Sequence, residues 1–188
     1  MRHTENENQR TALAWPYIAL LLGEIAVLGR LVALSHGRPP MTYELGWAGC
    51  GSMLLMQVYS IRRRVRALRA LGSLHAWLDL HVFLGLQGLV FVAYHSVGIS
   101  AHASLAAINF SLVAIVVGTG IIGRYLYCLI PHARARATRG SIALASRRIA
   151  LDLAERGLSR WTLLHRPLAF LLLAITTLHV LAHFAYAV

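Results

Sequence analysis

The sequence predicts an all-α integral membrane helical bundle of about five transmembrane helices, on three observations. Mean hydropathy is +0.60. Hydrophobic residues make up 57% of the 188 and charged residues only 13%, where an ordinary soluble domain has about a quarter charged. The apolar residues gather in stretches of roughly 20, enough to cross about 30 Å of hydrocarbon, with Arg clusters between them. The 18 basic residues, all Arg, outweigh seven acidic ones to give +11. That charge alone would suit nucleic acid, but its alternation with spanning stretches points to membrane lipid and to no nucleic-acid partner. Five spans leave fewer than half the residues for loops. Neither a Rossmann nor a flavin domain is expected to fit, and any catalytic partner is expected to be another chain.

Each element follows in order. The polar start, Met1 to Thr11, lacks the basic region, short apolar core and cleavage site of a secretory signal, so it is expected to stay on the mature protein. The first span is expected over residues 15–35; the turn Gly37, Arg38, Pro39, Pro40 separates it from the second, 44–61, the shortest. The third covers 75–98 and the fourth 104–130, where Pro131 follows the last apolar residue and is expected to stop the helix. Ser141 can cap an amphipathic helix over 141–156 that sets Ile142, Ala145, Ile149 and Leu153 on one face and ends at Gly157. Too short to span, it is expected along the cytoplasmic interface, as a membrane anchor or as a docking platform. The fifth span covers 163–186.

Basic residues are retained on the cytoplasmic side. The second loop holds Arg62, Arg63, Arg64, Arg66 and Arg69, and the fourth holds Arg134, Arg136, Arg139, Arg147, Arg148, Arg156 and Arg160. The first loop has Arg38 and the third has none. The amino terminus is therefore expected inside and the carboxyl terminus outside a bacterial-type inner membrane, with odd-numbered spans running outward.

Ten His is many for a membrane protein, because polar groups at membrane depth are costly and usually mark a site. In the third span Trp77 is followed four residues later by His81 and fourteen further by His95; in the fifth, Trp161 is followed by His165 and His179 at the same intervals. Leu80 and Leu164 precede the first His of each set, and Leu84 and Leu168 follow it by three. Fourteen residues at about 100° each return to within roughly 40° of the starting direction while rising about 21 Å. Both His of a span therefore face one neighbour. Because both spans run outward, His81 is expected opposite His165 near the cytoplasmic side and His95 opposite His179 near the external side.

Imidazole suits haem iron, copper or zinc. A porphyrin between two helices needs one imidazole from each, whereas zinc needs about four ligands converging on one point. The separated pairs therefore favour two haems b, each with two His ligands; another metal, a proton relay and plain packing are the alternatives. The repeated pairs on two parallel spans resemble the di-haem transmembrane cytochromes b, and their placement is similar to that in the ferric reductase-like transmembrane domain family. The resemblance covers roughly Ser73 to Ala185 and implies a four-helix haem-binding core that passes electrons from one membrane face to the other. Full-length ferric and oxygen reductases add a flavin and nicotinamide domain without a counterpart in this sequence, and six spans where five are expected here.

Other residues are read beside these. His183, one turn beyond His179, is an alternative ligand; His75 is expected at the interface, and His3, His36, His102 and His132 in solvated positions. An external site for quinone or metal at His102 or His183 stays open. Gly85, Gly88, Gly118, Gly120 and Gly123 permit close approach of a helix or a macrocycle. Arg124, Arg160 and Arg166 lie near the cytoplasmic boundary, where they can pair with haem propionates or snorkel to lipid phosphate. Glu24 and Arg30 are costly within the first span and are candidates for a proton or quinone pocket. Cys50 and Cys128 lack the paired pattern of covalent haem attachment, so haem is expected to be non-covalent.

The function expected is electron transfer, as the membrane subunit of a larger oxidoreductase rather than a stand-alone enzyme, with a redox partner on the cytoplasmic face. A membrane anchor or assembly subunit and a self-contained quinol or metal-ion reductase are the competing readings.

Overall fold

The computed structural model describes residues 13–98, 104–137 and 144–186, with side chains throughout except at 69, 126–137, 144–151, 154, 155 and 186. Those residues are helical or in connections, with no strand among them. The helices are α1 (Trp15–Leu34), α2 (Thr42–Leu55), α3 (Gln57–Arg64), a 3-10 turn (Arg66–Ala70), α4 (Leu74–His95), α5 (Leu105–Ala137) and α6 (Leu144–Tyr186). Among the described residues, four stretches are long and apolar enough to cross a membrane: α1, α4, Leu105–Tyr125 of α5 and Arg156–Ala185 of α6. The burial pattern agrees with them. Leu20, Leu22 and Val27 of α1 and Leu163, Leu164 and Phe170 of α6 are more than half exposed, whereas Thr42, Ser52, Arg62, Asp79, Asn109 and Arg124 are buried. In water that surface would aggregate; in hydrocarbon it is the stable arrangement, since lipid tails are as apolar as Leu and polar groups gain by turning inward. The chain is a membrane protein.

The segment expected as one second span is two helices of 14 and 8 residues that meet at Met56. Neither Pro nor Gly stands at the break. Its physical reason is a side chain inserted into the helical ladder, described below.

The chain divides into two compact units, Leu13–Val117 and a second whose described part begins at Gly118. In the first, α2 runs along α4. A Cβ at Gly49 would lie 3.0 Å from Val92 Cγ2 and 3.4 Å from the Gly88 carbonyl oxygen, and one at Gly88 would lie 3.2 Å from Met53 Cγ. Two backbones thus approach where side chains are missing, and of the two contacts expected for Gly88 the structure shows the helix. Helix α1 packs on α4 through Tyr17, stacked on Phe83 at 4.7 Å. Ser73 caps α4 by accepting from the Ala76 amide at 3.2 Å. At its other end, Tyr94 donates to the Pro40 carbonyl at 2.9 Å, which ties down the turn that enters α2 through Met41 in the left-handed region (φ 59).

In the second unit the stretch expected as a separate interfacial helix is helical from Leu144 and passes Gly157 without a break into the last span. One interior Gly costs only about 1 kcal/mol. Pro167 is likewise carried inside α6. It removes the bond that would reach the Leu163 carbonyl, a loss membrane helices accommodate through neighbouring donors. By the same tolerance α5 passes Pro131 and runs to Ala137, beyond the expected stop. The cap expected at Ser141, and the loop holding His102, lie outside the described residues.

Candidate functional site

His81, His95 and His165 each have Nδ1 engaged by an oxygen of a neighbouring element. His81 Nδ1 donates to the Met56 carbonyl at 2.9 Å. That carbonyl sits at the break between α2 and α3, where its remaining helical contact is a long 3.3 Å bond from the Tyr59 amide. The imidazole has entered the ladder, and Tyr59 covers it with ring centroids 5.1 Å apart.

His95 Nδ1 donates to the Thr42 carbonyl at 2.7 Å, in the first turn of α2. Its ring lies against Gly46, where a Cβ would stand 2.7 Å from Nδ1 and 2.9 Å from Cε1. Only glycine leaves room for the imidazole. A carbonyl accepts and never donates, so in both residues a hydrogen sits on Nδ1, and in a neutral ring the Nε2 lone pair is left for another partner.

In the second unit, His165 Nδ1 is hydrogen-bonded to Thr119 Oγ1 at 2.9 Å. The Trp161 indole stacks on it at 5.0 Å and an interplanar angle of 21°, and Trp161 Nε1 donates to the Thr119 carbonyl at 2.6 Å. Gly120 lies under His165, with a Cβ position 3.4 Å from Cε1, and Gly123 makes room for the Trp161 ring. One short stretch of α5 therefore seats both Trp161 and His165 of α6. Gly118, by contrast, faces open space. Trp77, the counterpart of Trp161 in the repeat, also donates to a carbonyl, that of Leu71.

His179 is half-buried, while His183 is exposed, edge-on to Phe184 at 5.8 Å. His75 lies 3.5 Å from Asp79 near the start of α4. Each expected ligand pair takes one residue from each unit, and the pairing rests on the repeated spacing.

Among the arginines, Arg124 is buried in α5, and Arg160 and Arg166 are exposed on α6. Arg62, read as one charge of a cytoplasmic cluster, is buried instead: it donates to the Gly72 carbonyl at 2.5 Å and lies 5.6 Å from the Trp77 ring centre. It clamps the connection into α4. Glu24 is not met by Arg30, which is exposed. It accepts from Gln87 Nε2 at 2.6 Å. Cys50 is a half-buried free thiol.

Sequence reasoning missed the oxygens that hold the rings, and Gly46. A backbone carbonyl has no sequence signature. Gly46 carried one that was available: a small residue three before Gly49 in a short apolar segment.

No protein-family model, curated protein or solved structure matches the chain.

Proposed function

We propose that this chain is a di-haem b membrane cytochrome that carries single electrons across a bilayer, as the membrane subunit of a larger oxidoreductase. The observation that supports it is the shared tethering of His81, His95 and His165 through Nδ1. Metal-ligating histidines almost always have the second ring nitrogen hydrogen-bonded, which fixes tautomer and ring plane and raises ligand basicity. A buried imidazole of any role needs a partner for its ring N–H; what joins these three is that the tether recurs at the positions of a sequence repeat.

The residues that would hold the two groups are His81 with His165 and His95 with His179. Haem bound there supplies one-electron redox chemistry. The chain's own atoms orient the ligands: the Met56 and Thr42 carbonyls and the Thr119 hydroxyl set the rings, and Gly46 and Gly120 give them room. Arg124, with Arg160 and Arg166, is assigned to the propionates. The test is stoichiometry: two acid-extractable haems per purified chain are expected, and a chain without haem when expressed with ample haem supply would end the reading.

The arrangement proposed in the membrane is an inside amino terminus and an outside carboxyl terminus in a bacterial-type inner membrane. Reporter fusions at Arg69 and Arg147 are expected to read cytoplasmic, and those at Ala103 and Val188 external; a cytoplasmic Val188 would contradict it. On the inner face, exposed Arg63, Arg64 and Arg66 belong to the charge that would steer an acidic redox protein. Haem reduction by such a donor is expected to slow as salt rises from 0.1 to 1 M, where the Debye length falls from about 10 Å to about 3 Å. A rate indifferent to salt would move the donor elsewhere.

A further inference from the structure

Helix α2, taken to the Met56 that ends it, repeats the histidine interval of α4. Thr42 and Met56, whose carbonyls accept from His95 and His81, stand fourteen residues apart, as the two histidines do. Midway, seven residues from either end, Gly49 meets Gly88: a Cβ on each would lie 3.4 Å from the other's carbonyl oxygen. Thr42 with His95, Gly49 with Gly88 and Met56 with His81 thus fall in one antiparallel register. Seven residues bring a helix back to within about 20° of its starting direction, so the three contacts lie along a single seam.

Side-chain sizes interlock across that seam. Gly46 and Gly49 of α2 lie against His95 and Val92, while Gly85 and Gly88 of α4 lie against Met56 and Met53. A large residue on either helix faces a glycine on the other, which holds the register. A slip of one turn, about 5.4 Å, would take both imidazoles off their carbonyls together.

We infer that the crossing of Gly49 and Gly88 is a positioning element for both ligand sites: it sets how closely α2 lies on α4, and with it the length of the His81 and His95 tethers at once. The crossing stands about 10 Å along the axis from either ring, so it acts on them only through the spacing of the helices. Gly46 differs, because it lies against the His95 ring itself. A methyl group at Gly88 would meet Met53 Cγ at 3.2 Å, and one at Gly49 would meet Val92 Cγ2 at 3.0 Å. Both contacts are tight enough to part the helices by about a few tenths of an ångström, and tethers of 2.9 and 2.7 Å weaken as they lengthen. That these rings hold haem rests on the electron-transfer reading; the shared register does not.

The test is nitrogen–proton correlation NMR of the full chain with isotope-labelled histidine, in phosphatidylcholine nanodiscs under dithionite, with haem content measured on the same sample. In the unmodified chain both rings are expected to carry hydrogen on Nδ1, and a ring of either residue with Nδ1 bare would overturn the inference. Gly88→Ala and Gly49→Ala are each expected to move the His81 and His95 Nδ1–H resonances upfield together, the direction of a lengthened hydrogen bond. Gly46→Ala is expected to move that of His95 alone, and Gly51→Ala, whose Cβ meets nothing within 4 Å, neither. In a haem-loaded chain the two central variants should also raise both midpoint potentials, since a weaker tether makes each imidazole a poorer donor to iron. Central variants that move one resonance or none would overturn the proposal. Resonances that move together in a chain without haem would refute the cytochrome reading alone, whereas a haem-loaded chain in which they move singly would refute this one alone.

Discussion

His81→Ala and His165→Ala are each expected to remove the same one of two haems, and His95→Ala and His179→Ala the other. The effect would be all-or-none in stoichiometry, because a haem held by two imidazoles would be held poorly by one. The grouping follows from the fourteen-residue interval, which gives each span one histidine near each membrane face. Haem content and reduced-minus-oxidised spectra of the four single variants read it directly. Two residual haems in the His81→Ala, His165→Ala double variant would sink the assignment, and loss of haem in His183→Ala with retention in His179→Ala would move the external ligand by one turn.

Gly46→Val is expected to strip the external-side haem while the cytoplasmic-side one stays. The added side chain would begin 2.7 Å from His95 Nδ1, a distance real Cβ atoms do not tolerate, and the atoms it meets belong to a ring wedged between two helices. Either the imidazole leaves the Thr42 carbonyl or α2 leaves α4; overpacking of this kind costs about 1–3 kcal/mol. Gly51→Val in the same helix, where a Cβ meets nothing within 4 Å, is the matched control and should keep both haems. The measurements are haem stoichiometry and thermal unfolding in detergent. A Gly46→Val chain with both haems and an unchanged midpoint would show that the contact at His95 does not position a ligand.

Much of the candidate site was legible in one dimension. The four histidines, the two tryptophans that precede them and the glycines of α5 stand at intervals that the helix period converts into faces, and the structure seats Trp161 and His165 together over Gly120 and Gly123 as that conversion requires. Glu24 drew attention by its cost in a span, and its partner is indeed a second polar group on a neighbouring helix. Other readings stopped short. Gly157 and Pro131 carry stop signals that the helices ignore, since one Gly or one missing N–H is outweighed by the rest of a long membrane helix. Arg62 was counted with its neighbours as a topology charge, and nothing in the run of three Arg distinguishes the one whose guanidinium turns back to the Gly72 carbonyl.

The sequence by itself determined the membrane class, the all-helical build, the long spans and the register of the histidines. These depend on hydropathy, on a rise of about 1.5 Å per residue and on a turn of about 100°, all local properties of the chain. The tertiary structure alone decided where the second apolar segment breaks, which oxygen tethers each imidazole and what faces Glu24. Every residue carries a carbonyl, and a helix normally spends each one on its own ladder; only the approach of α4 makes the Met56 carbonyl the acceptor for His81 and opens the helix at that point.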